Sequence, residues 1–189
     1  NKFEEFLDNV MPEAQANEYA IALSGSIPKK EVFRKMRGVS LHPYHPNSEE
    51  ALDHDQYVAQ SARLTSTVEI LDKAHAEGKK ALIFIESIDM HEWLAGFLKQ
   101  RYQMDHYPER IYGSINAARR TDIVNAFEDK NNKGFDLLLL SPKAAGVGLT
   151  LIAASIVIHL SRWWNPAVEN QATDRAHRMG QKNPVFVYK

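Results

Sequence analysis

The sequence predicts an α/β domain built on a parallel β-sheet with helices on both faces. Three short runs, at 81–85, 137–140 and 156–160, are apolar at almost every position, as expected of strands that are covered on both faces. Segments with helical spacing of their apolar residues separate these runs, and such alternation is typical of parallel sheets. Ligands of these folds bind at the carboxyl ends of the strands. The loops after Ile85, Leu140 and Leu160 are therefore the first candidates for a functional site.

Composition excludes several classes of protein. The 189 residues carry 23 Lys and Arg against 24 Asp and Glu, for a net charge of −1, which excludes a globally basic nucleic-acid-coating protein but not a local basic stripe. Cysteine is absent, which excludes disulfide scaffolds and zinc sites with Cys ligands. No apolar run approaches the roughly 18 residues that span a bilayer. Because the chain starts at Asn1 rather than Met, we expect a piece of a longer intracellular protein, from the cytoplasm, nucleoid or nucleus.

The first sixty residues differ from the rest, and we predict a helical, partly irregular lead-in over 1–60. Four apolar residues recur at helical spacing near the start: Phe3, Phe6, Leu7 and Val10. Pro43 and Pro46 then forbid a regular helix. His42 and His45, with Asp53, His54 and Asp55 nearby, could suggest a metal site, but the proline-rich setting places no two histidines on one helix face. We therefore expect no metal site.

Regular elements are predicted from residue 61 onward. Apolar residues at helical spacing from Leu64 to Ala74 stop at Gly78, a typical helix C-terminal signal. Further helices are expected at about 89–102 and 116–127, and from Pro166. Strands are expected at 81–85, 110–112, 137–140, 156–160 and 185–188.

The loop at 141–150 is rich in small residues. Small residues let the backbone approach a ligand, and exposed amides can face an anion. A dinucleotide fingerprint would require a third glycine, but Leu151 stands at that position. The loop alone is equally compatible with a simple tight turn.

The segment after Pro166 contains two arginines at helical spacing. Gln171, Arg175 and Arg178 are separated by four and then three residues, which places them on one face of a helix. Two guanidinium groups on one face repel each other unless an anion lies opposite. One interpretation is a solvated charged face with Asp174 as a local partner. The other is a fork of positive charge directed at phosphates.

Residues 138–181 resemble the late motifs of the Swi2/Snf2 family of DNA-translocating ATPases, within helicase superfamily 2. The segment 141–151 resembles motif V, although Ala145 and Thr150 stand where Gly and Asn are common in the family. Segment 164–166 reads Trp-Asn-Pro, and 171–181 matches motif VI almost letter for letter. Upstream, 81–87 resembles motif IV, and 111–114 with Arg119 and Arg120 resembles the following Gly-Ser turn and basic helix. The resemblance covers about two-thirds of the chain, in the order of the family.

The resemblance implies one half of a two-lobed motor. Residues 61–189 would be the second, C-terminal RecA-like lobe, and 1–60 the trailing part of the first lobe or an inter-lobe segment. ATP and Mg²⁺ would be held mainly by the first lobe. The implied partners are double-stranded DNA and the first lobe of the same parent chain, with no membrane involved.

The resemblance also implies roles for individual residues. Arg175 and Arg178 would be arginine fingers that reach the phosphates. Residues beside the nucleotide would be Gly146, Gly148, Gln171 and Asp174. Residues at the DNA backbone would be Ser87, Gly113, Ser114, Arg119, Ser141 and Lys143.

The sequence lacks the parts that hold the triphosphate. A phosphate loop requires GxxxxGK followed by Ser or Thr, but the only Gly-Lys pair, Gly78-Lys79, precedes Lys80, and no Asp-Glu-x-His or Asp-Glu-x-Asp box occurs. We therefore predict that this chain alone does not hydrolyse ATP. Two alternatives remain: a non-motor platform that binds DNA or protein, and a superfamily relative that separates strands or acts on RNA. Retention of both arginines argues against the platform.

Overall fold

A computed structural model describes residues 1–24, 28–48, 52–145, 148–163 and 165–189. The chain divides into two compact units, one formed by 1–6 with 71–189 and the other by 7–70. In the described part of the chain, no helix combines the length and the apolar character needed to cross a membrane.

The first unit contains a six-stranded sheet in which every neighbouring pair is parallel. The strands are β1 (Lys2–Glu5), β2 (Ala81–Phe84), β3 (Glu109–Ile111), β4 (Leu137–Leu140), β5 (Ile156–His159) and β6 (Val185–Tyr188). Their order is β1-β6-β5-β2-β4-β3. Strands β2, β4 and β5 are buried at every position. This arrangement confirms the parallel sheet that the uninterrupted apolar runs predict.

Eight helices accompany the strands within the described residues. They are α1 (Glu13–Leu23), α2 (Lys29–Leu41), α3 (His54–Ala59), α4 (Ala62–Ala76), α5 (Ile88–Arg101), α6 (Ala117–Glu128), α7 (Pro142–Ala145) and α8 (Pro166–Thr173). Helix α4 is followed by Gly78 at φ 61°, a left-handed conformation that glycine adopts without strain. The helices predicted between residues 61 and 128 are confirmed to within about two residues at each end.

The sheet is covered on both faces, as predicted. On one face, Leu82 and Phe84 of β2 pack in a cluster with Phe127 of α6 and Ala172 of α8. Ile83 lies between them in the sequence and is also fully buried. Because successive strand residues point to opposite faces, burial of all three requires cover on each side.

The first ten residues differ from the prediction. The spacing of Phe3 and Phe6 suggested a helix, but residues 2–5 form the edge strand β1, which pairs with β6 in parallel. The Phe3 ring stacks on Phe186 with centroids 5.4 Å apart. Strand pairing with a distant segment overrides local spacing here, as is common for short apolar patterns.

The second unit, 7–70, is built from α1, α2, α3 and the start of α4. The Gln15 amide donates to the Val39 carbonyl at 2.8 Å, and its oxygen accepts from the Ala62 N–H at 3.1 Å. Both ring nitrogens of His42 are engaged: Nδ1 accepts from the Tyr44 N–H, and Nε2 lies 2.8 Å from the Tyr57 carbonyl oxygen. His42 is therefore part of a closed turn. The division at residue 60 stays a prediction.

Candidate functional site

Three neighbouring strands end at one edge of the sheet, and each is followed by sequence-predicted site residues. Ser87 follows β2, Gly113 and Ser114 follow β3, and Ser141 with Lys143 follows β4. Since β2, β4 and β3 are adjacent in the sheet, their carboxyl ends lie side by side. The structure thus brings these five positions to one edge, which we call the carboxyl edge.

Ser87 begins helix α5. Its hydroxyl oxygen accepts a hydrogen bond from the Met90 N–H at 3.3 Å, as expected of an N-cap serine. Because the oxygen acts as the acceptor, the hydroxyl hydrogen can donate to a ligand. The Ser141 N–H donates to the Ile111 carbonyl at 2.8 Å, which fixes the start of the loop after β4.

The turn after β3 is exposed and is held by arginine. Arg120 donates from Nη2 to the Gly113 carbonyl at 3.1 Å. Arg119 donates from Nη2 to the Glu109 carboxylate at 2.7 Å, and both side chains of this pair are about half exposed, at 53% and 44%. An exposed pair of this kind is exchanged readily. Arg119 is therefore available for a stronger anionic partner.

Lys143 connects the loop after β4 to the segment after β5. Its Nζ lies 5.8 Å from the centre of the Trp163 ring, within the range of a cation–π contact. Lys143 is exposed and Trp163 is half-buried. Trp164 of the Trp-Asn-Pro segment and Gly146, a predicted nucleotide contact, lie outside the described residues.

Arg178 is presented to solvent. Its Nη1 donates to the Thr150 hydroxyl at 3.1 Å, and it makes no ion pair with a residue that the structure describes. Gly148, with φ 77°, lies two residues before Thr150 and is also exposed. Gln171 and Asp174 are exposed as well. The hydrogen bond to Thr150 joins the motif V segment to the motif VI segment.

Arg175 differs from the prediction. The sequence predicted an outward guanidinium, but Arg175 is only 7% exposed. Burial lowers its pKa, the nearby positive charge of Arg178 lowers it further, and Asp174 opposes these effects. Arg178 is therefore the exposed member of this pair of arginines, and Arg175 is the buried one.

The prediction that one helix contains Gln171, Arg175 and Arg178 is also wrong, because the helix ends before the two arginines. Helix α8 ends at Thr173, and the following residues form turns. The Arg175 carbonyl accepts from the Leu151 N–H at 2.9 Å, and the Gln181 amide donates to the Ile152 and Ala154 carbonyls at 2.9 Å. These bonds to the 151–154 segment replace the regular hydrogen bonds of a continued helix.

Sequence reasoning missed the importance of Glu169. This carboxylate is 2% exposed and accepts two hydrogen bonds from Arg162, at 2.8 and 3.1 Å, and one from the Trp163 N–H at 2.8 Å. Burial would raise the pKa of Glu169, but the bonds from Arg162 and Trp163 outweigh it and lower the pKa. Glu169 therefore fastens α8 to the segment after β5. An acidic residue on the core-facing side of a predicted helix was the available signal.

A second polar contact fastens the same helix. The Thr173 hydroxyl lies 2.8 Å from His159 Nε2 at the end of β5, and the His159 ring stacks on Phe84 with centroids 5.1 Å apart. Burial lowers the pKa of His159 to about 4, so the ring is neutral at pH 7. Thr173 follows Glu169 by one helical turn, so both contacts lie on one side of α8. The exposed Gln171 lies between them in the sequence.

Comparison with known proteins identifies the family. The profile of the helicase conserved C-terminal domain matches residues 62–180, more than half of the chain. The chain belongs to the helicase C-terminal domain family. Its relatives place it in the Swi2/Snf2 group of that family, which confirms the resemblance carried by motifs V and VI.

The curated relatives are much longer proteins. The chain is 39% identical over 130 residues to a Bacillus subtilis protein named putative ATP-dependent helicase/translocase YwqA, covering 69% of this chain and 14% of that protein. It is 36% identical over 135 residues to the Saccharomyces cerevisiae chromatin-remodeling ATPase INO80, covering 71% of this chain and 9% of that protein. The helicase C-terminal domain thus spans a small fraction of each relative.

Solved structures agree with this assignment. The Sulfolobus solfataricus SWI2/SNF2 ATPase core domain superposes with a TM-score of 0.76 at 28% identity, covering 100% of this chain and 39% of that chain. The C-terminal part of the Fun30 ATPase domain superposes with a TM-score of 0.81 at 20% identity, covering 99% and 83%. The second likeness supports the fold alone. Both structures confirm the fold of a RecA-like C-terminal lobe, and the Sulfolobus structure also agrees with the Swi2/Snf2 resemblance.

Proposed function

We propose that this chain is the C-terminal lobe of an ATP-dependent translocase or remodeller that acts on double-stranded DNA. The observation that carries the proposal is the exposed guanidinium of Arg178, oriented by Thr150 and without an acidic partner among the described residues. The Sulfolobus core, whose C-terminal part this chain resembles, has also been solved with double-stranded DNA. ATP and Mg²⁺ would be held mainly by a first lobe, supplied by the parent chain.

Arg178 is the proposed arginine finger, and Arg175 supports it. A guanidinium group donates to phosphate oxygens and stabilises the charge that develops during phosphoryl transfer. The positive charge of Arg178 already destabilises charged Arg175 in the absence of an anion. A triphosphate beside both groups removes that repulsion. Arg175, at 7% exposure, makes direct contact only if its side chain moves outward.

The nucleotide edge would be completed by Gly148, Gln171 and Asp174. All three are exposed. Gln171 and Asp174 shortly precede Arg178 in the sequence, and Gly148 lies two residues before Thr150, the hydrogen-bond partner of Arg178. The positive φ of Gly148 turns the backbone in a way that other residues rarely adopt. Gly146, predicted for the same loop, stays a sequence-based expectation.

The carboxyl edge would contact the DNA backbone. Hydroxyl groups of Ser87, Ser114 and Ser141, backbone groups at Gly113 and the charges of Arg119 and Lys143 are all suited to phosphate oxygens. Such contacts position a protein on a duplex without reading its sequence. This is the behaviour that a translocating motor requires.

The finger is tested by Arg178→Gln in the parent protein. We expect kcat for DNA-stimulated ATP hydrolysis to fall by about 10³-fold or more, with duplex affinity unchanged. The matched control is Arg34→Gln, which removes an exposed arginine of α2 outside the site, and should leave kcat unchanged. An unaltered kcat in Arg178→Gln would contradict the proposal.

The duplex interface is tested by Lys143→Gln in the parent protein. We expect weaker binding to duplexes of any sequence, and the slope of log affinity against log salt should decrease by about 0.9. Lys99→Gln is the control, because Lys99 lies on α5 against the Tyr107 ring, away from the predicted DNA contacts. Equal salt slopes for the Lys143 variant and the wild type would show that Lys143 does not contact a phosphate.

The proposal also includes the inactivity of the isolated chain. The 189 residues contain no phosphate loop or acidic box, so nothing in them is expected to hold the triphosphate and Mg²⁺ for hydrolysis. Purified, folded chain should show no steady-state ATP hydrolysis with or without duplex. A rate that disappears in Arg178→Gln would contradict this expectation.

A further inference from the structure

A basic cavity lies at the edge of the sheet opposite the carboxyl edge. It has a volume of about 530 Å³ and is lined by the segments that lead into β2, β4, β5 and β6. Five lysines line it: Lys79, Lys80, Lys130, Lys133 and Lys182. None of them belongs to the predicted nucleotide or DNA sites. We call this cavity the lysine pocket.

Two of the five lysines have internal partners. Lys79 forms an ion pair with Glu77. Lys80 is buried, donates from Nζ to the Phe127 carbonyl and lies over the Phe127 ring. Burial lowers the pKa of Lys80, and nearby carboxylates, those of Asp136, Glu128 and Asp129, oppose the shift. The positive charges of Lys79 and Lys80 are thus compensated by groups of the same chain.

The carboxylates that line the lysine pocket, Glu128 and Asp129, and that of Asp136 near Lys80 are also engaged. Glu128 accepts from the Ala153 N–H at 2.9 and 3.2 Å. Asp136 accepts from the Leu137 N–H and from the Asn132 amide, both at 2.8 Å. Asp129 accepts from the Asn131 N–H at 2.9 Å, within its own turn. These carboxylates therefore accept hydrogen bonds from the surrounding loops and stabilise the charge of the buried Lys80.

The positive charges of the remaining three lysines have no such compensation among the described residues. Lys130, Lys133 and Lys182 are exposed, and their ammonium groups make no ion pair or hydrogen bond with a residue that the structure describes. Three like charges around one cavity raise the local potential and attract multivalent anions. A partner with several negative charges would relieve their repulsion.

We propose that the lysine pocket binds phosphate groups through Lys130, Lys133 and Lys182. Lysine is a flexible point charge that suits phosphate without demanding one geometry, and three of them match an anion with several charges. The carboxylates of Glu128 and Asp129, which line the pocket, would repel deep entry. The phosphates therefore lie across the rim, as those of a short polyphosphate or of a nucleic-acid backbone can.

The test uses the parent protein and two variants of equal charge. The pocket variant is Lys130→Gln/Lys133→Gln/Lys182→Gln, and the control is Lys35→Gln/Lys73→Gln/Lys99→Gln, whose lysines lie outside the pocket. Sodium tripolyphosphate is titrated by calorimetry, and a short blunt-ended duplex is titrated over a range of salt concentrations. Thermal unfolding of each variant confirms that the fold is retained.

If the ligand is a free polyphosphate, the pocket variant should bind tripolyphosphate at least about tenfold more weakly than the control variant does. If the ligand is a nucleic-acid backbone, the three substitutions should reduce the slope of log duplex affinity against log salt by up to about 2.7, at about 0.9 for each lysine. Either result supports phosphate binding and identifies its source. Equal tripolyphosphate affinity and equal salt slopes for the two variants would overturn the proposal.

The variant Arg178→Gln separates this proposal from the proposed function. Tripolyphosphate that binds in the lysine pocket should be unaffected by Arg178→Gln, whereas binding in the ATP site should weaken. Loss of tripolyphosphate binding in Arg178→Gln but not in the pocket variant, together with equal salt slopes for the pocket variant and its control, would also overturn the proposal.

Discussion

Arg162 and Arg178 lie in the same stretch of sequence, but the fold uses them differently. Arg162 makes a two-pronged contact with Glu169, whose side chain is 2% exposed. Arg178 is exposed and rests on a hydroxyl group, that of Thr150. A guanidinium committed to a buried acid maintains the fold, whereas one that faces solvent on a neutral partner is free to meet a ligand. Residue type and spacing alone do not separate these roles.

The pair Glu169–Arg162 is expected to give the largest effect on stability. Removal of one member of a buried pair costs about 3–5 kcal/mol, and we expect about 3 kcal/mol for Glu169→Ala because Arg162 remains 38% exposed and can reach water. Urea unfolding of the 189-residue chain measures this loss.

The matched control for Glu169→Ala is Asp72→Ala. Asp72 accepts two bonds from Arg101 at 3.0 and 2.8 Å, the same geometry in an exposed setting. It also accepts from the Tyr102 hydroxyl at 2.8 Å. We expect a loss of about 1 kcal/mol or less. Equal losses for the two variants would remove burial as the reason for the difference.

Acid should weaken the fold through two buried histidines. Burial lowers the pKa of His91 and of His159 to about 4, below the value of about 6.5 in the unfolded chain. The unfolded chain therefore binds more protons between pH 6.5 and 4, so stability falls as the pH decreases through that range. At pH 5 each histidine should cost about 2 kcal/mol relative to pH 7.5.

The histidine effect is measured by urea unfolding at pH 7.5 and 5. His159→Gln should reduce the pH dependence, whereas His106→Gln, at an exposed position, should not. Carboxylates with lowered pKa, such as Asp72 and Glu4, lose their contribution only at lower pH. An unchanged pH dependence in His159→Gln would show that His159 does not titrate on unfolding.

Arg119 is expected to give the smallest effect on stability. Its exposed pair with Glu109 should contribute less than about 1 kcal/mol. In the parent protein, Arg119→Gln should nevertheless reduce the slope of log duplex affinity against log salt by about 0.9. A large loss of stability with unchanged duplex binding would assign Arg119 to the fold instead.

Much of the fold could be predicted because its core strands are apolar throughout. The runs at β2, β4 and β5 have no polar face, so they indicate strands covered on both sides. Strand β1 could not be recognised, because its four residues are all exposed and its pairing depends on β6 at the other end of the sequence. Local spacing contains no information about such a distant partner.

The site was predicted less completely than the fold. Motif VI located Arg175 and Arg178, but not the end of α8 at Thr173 or the burial of Arg175. The Arg175 carbonyl and the Gln181 amide bond instead to residues 151–154, which the motif itself does not contain. The role of Glu169 was missed for a different reason: its partner Arg162 is only seven residues away, but the contact depends on how the loop after β5 folds back on α8.

The most direct test of the account is a structure of the parent protein with ADP, Mg²⁺ and a metal fluoride that mimics the transferred phosphoryl group. Arg178 is expected to donate to the fluoride at about 3 Å, with Arg162 still bound to Glu169. A structure in which Arg178 remains on Thr150 and points to solvent, while another arginine contacts the fluoride, would contradict the account.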